Sequence, residues 1–380
     1  MPRPIWDIFC RVIDNYGDMG VCWRLARQLV AEHGFEVRLW VDVLASFQAI
    51  CPEFDPNLAR QTCEGVLIAR WESAAHVVPG DCVIEAFACE LPAAWQAAMA
   101  AKPGGAPVWI NLEYLSAEAW VADCHGLNSP HPRLPLNKTF FFPGLRAGTG
   151  GVLCEADLAV TRVQFQENPA VRTAWWAALG IVPRGQMVSL FCYENPVLPA
   201  LLDAWAAQTT PLSCVVTAGK AQAAVCAYLG LAAWPVGQVV QRGALTLHAL
   251  PFLSQPDFDR LLWACDVNLV RGEDSWVRAQ WAGRPMLWQI YPQAEAAHEP
   301  KLRAFIELYG AGLPPAVFEA WANLQLAWNG QSPLPIQSAW QTLQTHTAKW
   351  AEHAAHWPAE LRLVGDLAGN LARWYQKQLK

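Results

Sequence analysis

Two carboxylates four residues apart, Asp14 and Asp18, flank Asn15, Tyr16 and Gly17 in the run RVIDNYGDMG. Acids at this spacing, around a glycine that lets a substrate approach the backbone, can act on a proton or grip a cation. The competing reading is structural: Asp14 stabilises a turn and Asp18 caps a helix. A second constellation lies in DVNLVRGEDSWVRAQWAGRPMLWQIYPQ. There Arg271 suits a diphosphate, Glu273 suits ribose hydroxyls, and Asp274 and Ser275 can cap the helix that follows. An ion pair between Arg271 and Glu273 is the rival account. Phe191 and Tyr193 in FCYEN, with Phe252 and Gln255 in LPFLSQ, form an aromatic set that could sandwich a base, or could simply be core.

These residues need a frame that brings them to one edge. A strand over 4–12 runs into the Asp14–Gly20 turn, and Val21, Leu25, Leu29 and Val30 space a helix over 20–33. A strand over 36–41 follows, then strands at 66–69, 82–87 and 107–112 with a helix over 91–101. From 143 to 168 the Gly- and Pro-rich pattern predicts irregular structure, and a helix over 169–179 closes the first half. The second half alternates again: strands at 187–192, 213–217, 246–250, 267–270 and 286–290, with helices over 196–207, 220–229 and 257–264 and one after residue 273. Helices over 301–308, 315–328, 337–356 and 358–379 end the chain. The class is α/β, with two Rossmann-like domains at 1–180 and 186–356, and a helix over 357–380 that can cross back to the first. Ligands of such sheets bind at the carboxyl ends of the strands, where both constellations fall.

The chain has 380 residues, of which 53% are hydrophobic and 16% charged, so it can fill two packed cores. A net charge of −6 and the lack of a long basic run argue against general nucleic-acid binding. Twelve cysteines without a CxxC pair argue against a zinc ribbon and suit reduced thiols in the cytoplasm. The interrupted N-terminal segment reads as neither signal peptide nor membrane span. No metal site is expected. Asp257 and Asp259 have the spacing of a cation-binding DxD but fall where a helix begins, and His346, His353 and His356 read as exposed. P-loop, GxSxG and HExxH motifs are absent.

The blocks WDIFCRVIDNYGDMGVCWRLARQL and RGEDSWVRAQWAGRPMLWQIYPQ resemble the EarP family of protein-arginine rhamnosyltransferases, and the resemblance runs over essentially the whole chain. It implies a GT-B fold with the active cleft between two Rossmann-like domains. It also implies metal-free, inverting transfer of rhamnose from dTDP-β-L-rhamnose, with no cofactor besides that donor, to one arginine of translation elongation factor P. On this resemblance Asp18 is the general base and Asp14 its supporting carboxylate. Asn15, Gly17, Phe191, Tyr193, Phe252, Gln255, Arg271, Glu273, Asp274 and Ser275 form the donor site. No direct nucleic-acid or membrane partner is expected. The residues alone leave two rivals: a transferase or epimerase of this fold acting on a small molecule or lipid, and a nucleotide-sugar-binding regulator without catalysis.

Overall fold

The computed structural model describes residues 3–13 and 16–379; Asp14 and Asn15, both expected at the site, lie outside the described residues. The chain forms two compact units, Met1–Ala156 with Leu361–Lys380, and Asp157–Glu360.

The first unit is built on strands Ile5–Cys10 (β1), Glu36–Val41 (β2), Arg60–Cys63 (β3), Val66–Arg70 (β4), Cys82–Ala86 (β5), Val108–Leu112 (β6), Asn128–Pro130 (β7) and Asn137–Phe141 (β8). Among the described residues they form one sheet in the order β3-β4-β2-β1-β5-β6-β8-β7. The inner strands run parallel, and β3 and β7 pair antiparallel at the two edges. β1 shows why its apolar run makes a doubly buried strand. Trp6, Ile8 and Cys10 point into the core under helix Gly17–His33, while Phe9 joins Trp40, Val83, Trp95 and Trp109 on the other face. Asp7 interrupts that run, fully buried, and is matched by four donors: Arg38 Nε and Nη2 at 2.7 and 2.6 Å, Trp40 Nε1 at 2.7 Å and the Gly80 amide at 2.7 Å. A buried carboxylate so satisfied is stable; with one partner missing it would not be.

Helix Leu367–Gln378 also packs on the first unit. Its Leu371 and Tyr375 lie in the core with Trp6 and Leu25, and Asp366 caps it by accepting from the Gly369 amide at 2.6 Å.

The second unit carries strands Gln186–Leu190 (β9), Leu212–Val216 (β10), Val239–Arg242 (β11), Leu245–Ala249 (β12), Val267–Arg271 (β13) and Met286–Gln289 (β14). Their order is β11-β12-β10-β9-β13-β14, parallel throughout except for edge strand β11.

Several expectations shift. Helices Leu158–Glu167 and Pro169–Ala178 belong to the second unit, not to a first domain ending at 180. Phe165 packs on Trp263 at 5.8 Å, and Gln166 Nε2 donates to the carbonyls of Trp263 and Ala282. The first of these helices occupies a stretch expected to be irregular; only Leu158 and Phe165 in it are buried, too sparse a stripe to read from sequence. The helix expected over 337–356 is two, Ile336–Gln344 and Thr347–Arg362. Between them the hydroxyls of Thr345 and Thr347 take up carbonyls at the end of the first. Pro358, expected near the start of a new helix, lies inside the second of these, because the buried stripe of Trp350, Ala354 and Trp357 runs up to it without a break.

Candidate functional site

In the first unit, helix Gly17–His33 starts at the carboxyl end of β1, and Asp18 sits in its first turn, 4% exposed. The N-cap is Tyr16, which makes no side-chain cap bond. Asp18 turns instead toward neighbouring strand ends: Oδ2 accepts from the Ile13 amide at 2.9 Å and Oδ1 from the Tyr114 hydroxyl at 3.1 Å. Tyr114 follows β6 and lies flat on Phe87, with centroids 4.4 Å apart and planes 13° from parallel. Behind Asp18, Cys10 and Cys22 are both buried, and their mutual hydrogen bond, then burial, then the nearby carboxylates of Asp18 and Asp42 push the Cys10 thiol well up. A buried thiol held protonated in this way is a poor nucleophile.

In the second unit, β9 and β13 are neighbours, so their carboxyl ends bring together residues far apart in sequence. The Arg271 guanidinium lies over the rings of Phe191 at 4.5 Å and Tyr193 at 4.3 Å. Phe258 meets Phe191 edge-on at 5.5 Å, and Tyr291 meets Tyr193 at 5.4 Å. Gln289 Oε1 fixes the Tyr193 amide at 2.8 Å. Gly272 takes a left-handed conformation (φ 60°) that allows the tight turn into helix Asp274–Ala282, and Trp288 Nε1 donates to its carbonyl at 2.7 Å. The N-cap is Glu273, without a side-chain cap bond. Ser275, expected to cap, turns back: its hydroxyl accepts from the Arg271 amide and donates to the Arg271 carbonyl, locking the strand end to the helix start.

Arg271 is only 9% exposed, and among the described residues it makes no ion pair. A cation held at the positive end of a helix is placed against the helix dipole; the two ring faces offset part of that cost. An anion seated there would meet both the guanidinium and the first-turn amides.

Structure brings Phe191, Tyr193, Arg271 and Ser275 into direct contact or one bond apart. Gln255 is buried in the first turn of helix Gln255–Ala264, and Phe252 stands 44% exposed just before it. Asp18 and Gly17 belong to the first unit, and the aromatic–arginine set to the second. Tyr114, Phe258, Gln289 and Tyr291 were not singled out from the sequence. Tyr114, Gln289 and Tyr291 follow or close strands at a carboxyl edge, which is the one signal that points to them, whereas Phe258 lies inside helix Gln255–Ala264.

Asp257 and Asp259 have protein partners. Asp257 takes Arg260 Nη1 and the Ser254 hydroxyl; burial alone would raise its carboxyl, but these hydrogen bonds hold it below the usual range. Asp259 pairs with Arg278 at 2.9 and 2.7 Å. Among the described residues one group of metal-capable side chains gathers, Glu32, His33 and Asp366. Oxygens of both carboxylates are already acceptors, Glu32 from Gln28 and the Ala156 amide, Asp366 from the Cys154 and Gly369 amides. His353, expected to be exposed, is buried edge-on against Tyr309 at 4.6 Å because it faces the inner side of its helix. His356 is exposed and His346 half-buried. No helix among the described residues is long and apolar enough to cross a membrane.

A family model described as Elongation-Factor P (EF-P) rhamnosyltransferase EarP matches residues 6–376. The chain is 50% identical over 380 residues to a protein-arginine rhamnosyltransferase of Pseudomonas putida, covering 99% of this chain and 100% of that protein. A solved structure reported as the structural basis for EarP-mediated arginine glycosylation of translation elongation factor EF-P is 37% identical, covers 99% of both chains and superposes with a TM-score of 0.71. MurG of Acinetobacter baumannii, 13% identical with 99% and 100% covered, superposes at 0.51 and bears on the fold alone, which is GT-B.

Proposed function

The chain belongs to the EarP family of EF-P rhamnosyltransferases and is a glycosyltransferase acting on protein arginine, and on that premise we propose that it moves rhamnose from dTDP-β-L-rhamnose to an arginine of translation elongation factor P, with inversion and without a metal. The observation that carries the donor half is Arg271, a buried cation over two aromatic rings at a helix start. In this reading the diphosphate lies on Arg271 and the first-turn amides, which take up the charge that develops on the leaving group. Phe191, Tyr193, Phe252 and Gln255 hold the nucleoside. Glu273 would repel a diphosphate and serves the ribose hydroxyls; Asp274 and Ser275 complete the turn. The same reading assigns Asn15 and Gly17 to donor binding.

Asp18 is the proton acceptor, with Asp14 in support. An arginine side chain has a pKa above about 12 and a carboxylate near 4, so ground-state transfer is uphill by roughly 8 units, on the order of 11 kcal/mol. The proton therefore leaves late, once the new C–N bond draws density from the nitrogen. Before that, the carboxylates hold the cationic guanidinium by charge-assisted hydrogen bonds. The test is intact-mass measurement of unmodified elongation factor P after incubation with the enzyme and dTDP-rhamnose. A single added deoxyhexose supports the proposal; an unmodified factor, with activity on a small acceptor or none at all, refutes it.

A further inference from the structure

We propose that Tyr114 is a positioning residue for the Asp18 carboxylate, held in place by Phe87; the inference rests on the reading of Asp18 as proton acceptor. A carboxylate on a short side chain can rotate about its last bond, and only some rotations present a lone pair to an incoming N–H. Here both oxygens are tethered from the protein side, Oδ2 by the Ile13 amide and Oδ1 by the Tyr114 hydroxyl. A guanidinium, whose paired N–H groups match two oxygens side by side, then meets a carboxylate already held in one rotation. The tether comes from 96 residues away, so it survives only if the Tyr114 ring is itself fixed.

Phe87 supplies that. Its ring covers the Tyr114 ring, yet its backbone is left-handed (φ 56°), as is that of Ala88 and Glu90 (φ 52° and 54°). Three such residues without glycine are costly and persist only where neighbours hold them. The Phe87 amide donates to the Leu112 carbonyl at 2.7 Å, next to the strand end that carries Tyr114. The Glu90 amide donates to Glu85, a buried carboxylate paired with Lys138 at 3.1 Å. The turn is thus pinned at both ends, and what it presents is one ring face to Tyr114.

The test compares Tyr114→Phe, Phe87→Leu and the double variant with the parent and with Asp18→Asn, following kcat, melting temperature and dTDP affinity. Tyr114→Phe keeps the ring and its stack, and should lower kcat about tenfold, the worth of one hydrogen bond to a charged group, with dTDP affinity and melting temperature unchanged. Phe87→Leu should lower kcat in the same direction by less, and the double variant should be no slower than Tyr114→Phe within about twofold, since both act through one oxygen. A Tyr114→Phe enzyme with the parent kcat, or losses that multiply in the double variant, overturns the inference while an inactive Asp18→Asn leaves the base assignment standing. An Asp18→Asn enzyme at the parent rate overturns that assignment and the inference with it.

Discussion

The carboxylate of Asp18 and the guanidinium of Arg271 are both nearly buried; the first accepts from the Ile13 amide and the Tyr114 hydroxyl, and the second lies over the Phe191 ring. That arrangement makes sharp expectations. Asp18→Asn preserves shape but exchanges one accepting oxygen for an N–H donor and removes the accepting charge, so turnover should vanish while calorimetric dTDP affinity stays at the parent value. Arg271→Ala removes the charge proposed to meet the diphosphate and leaves two bare rings. Donor affinity should fall by about 10- to 100-fold, the range for a charge-assisted hydrogen bond, and turnover should fall with it; unchanged dTDP binding by calorimetry would contradict the placement. That Asp18 and Arg271 lie beyond strand ends was legible in the sequence, because an apolar run announces each strand. That Tyr114 meets Asp18 was not legible, since the contact depends on β6 and β1 being placed on either side of β5, which no local pattern records.

At the scale of elements, the doubly buried parallel strands were legible as near-continuous apolar runs such as VIEAF and VNLV, each broken by one polar residue. The edge strands β3, β7 and β11 were not: they are short, mostly exposed and carry no alternation that a half-buried strand would show. Two side chains set how firmly the ends of elements are held. Asp366 accepts from the Gly369 amide that starts the last helix and from the Cys154 amide, while burial still raises its carboxyl above the usual range. Asp366→Ala should cost about 1–2 kcal/mol of stability by urea unfolding at an unchanged slope, as losing a helix cap does. The Arg278–Asp259 pair, 3% and 7% exposed, joins helix Asp274–Ala282 to helix Gln255–Ala264. Arg278→Ala strands a buried carboxylate and should cost roughly 3–5 kcal/mol, whereas an exposed pair such as Lys349–Glu352 should be near neutral by the same measurement.

For the whole molecule, the two-unit plan followed from two runs of βα alternation, but the place of division did not. Helix Leu158–Glu167 has only two buried side chains to show which sheet it serves, and the chain returns to the first unit at Leu361. Stability should depend on pH through His125, His248 and His353, each lowered below the ordinary histidine range by burial. Above the unfolded value near 6.5 both states are neutral and nothing is lost. As pH falls below it the unfolded chain binds protons first, so stability declines until the folded imidazoles titrate in turn. Melting temperature should therefore drop below about pH 6.5, and His248→Phe should flatten part of that slope; a parallel slope in the variant would assign it to carboxylates instead.

A crystal structure of the enzyme with dTDP tests the central claim most directly. The account predicts the diphosphate within hydrogen-bonding reach of the Arg271 guanidinium and the amides that open helix Asp274–Ala282, with the base among Phe191, Tyr193 and Phe252. A nucleotide seated elsewhere, with Arg271 still lying on its two rings and touching no phosphate, would contradict it.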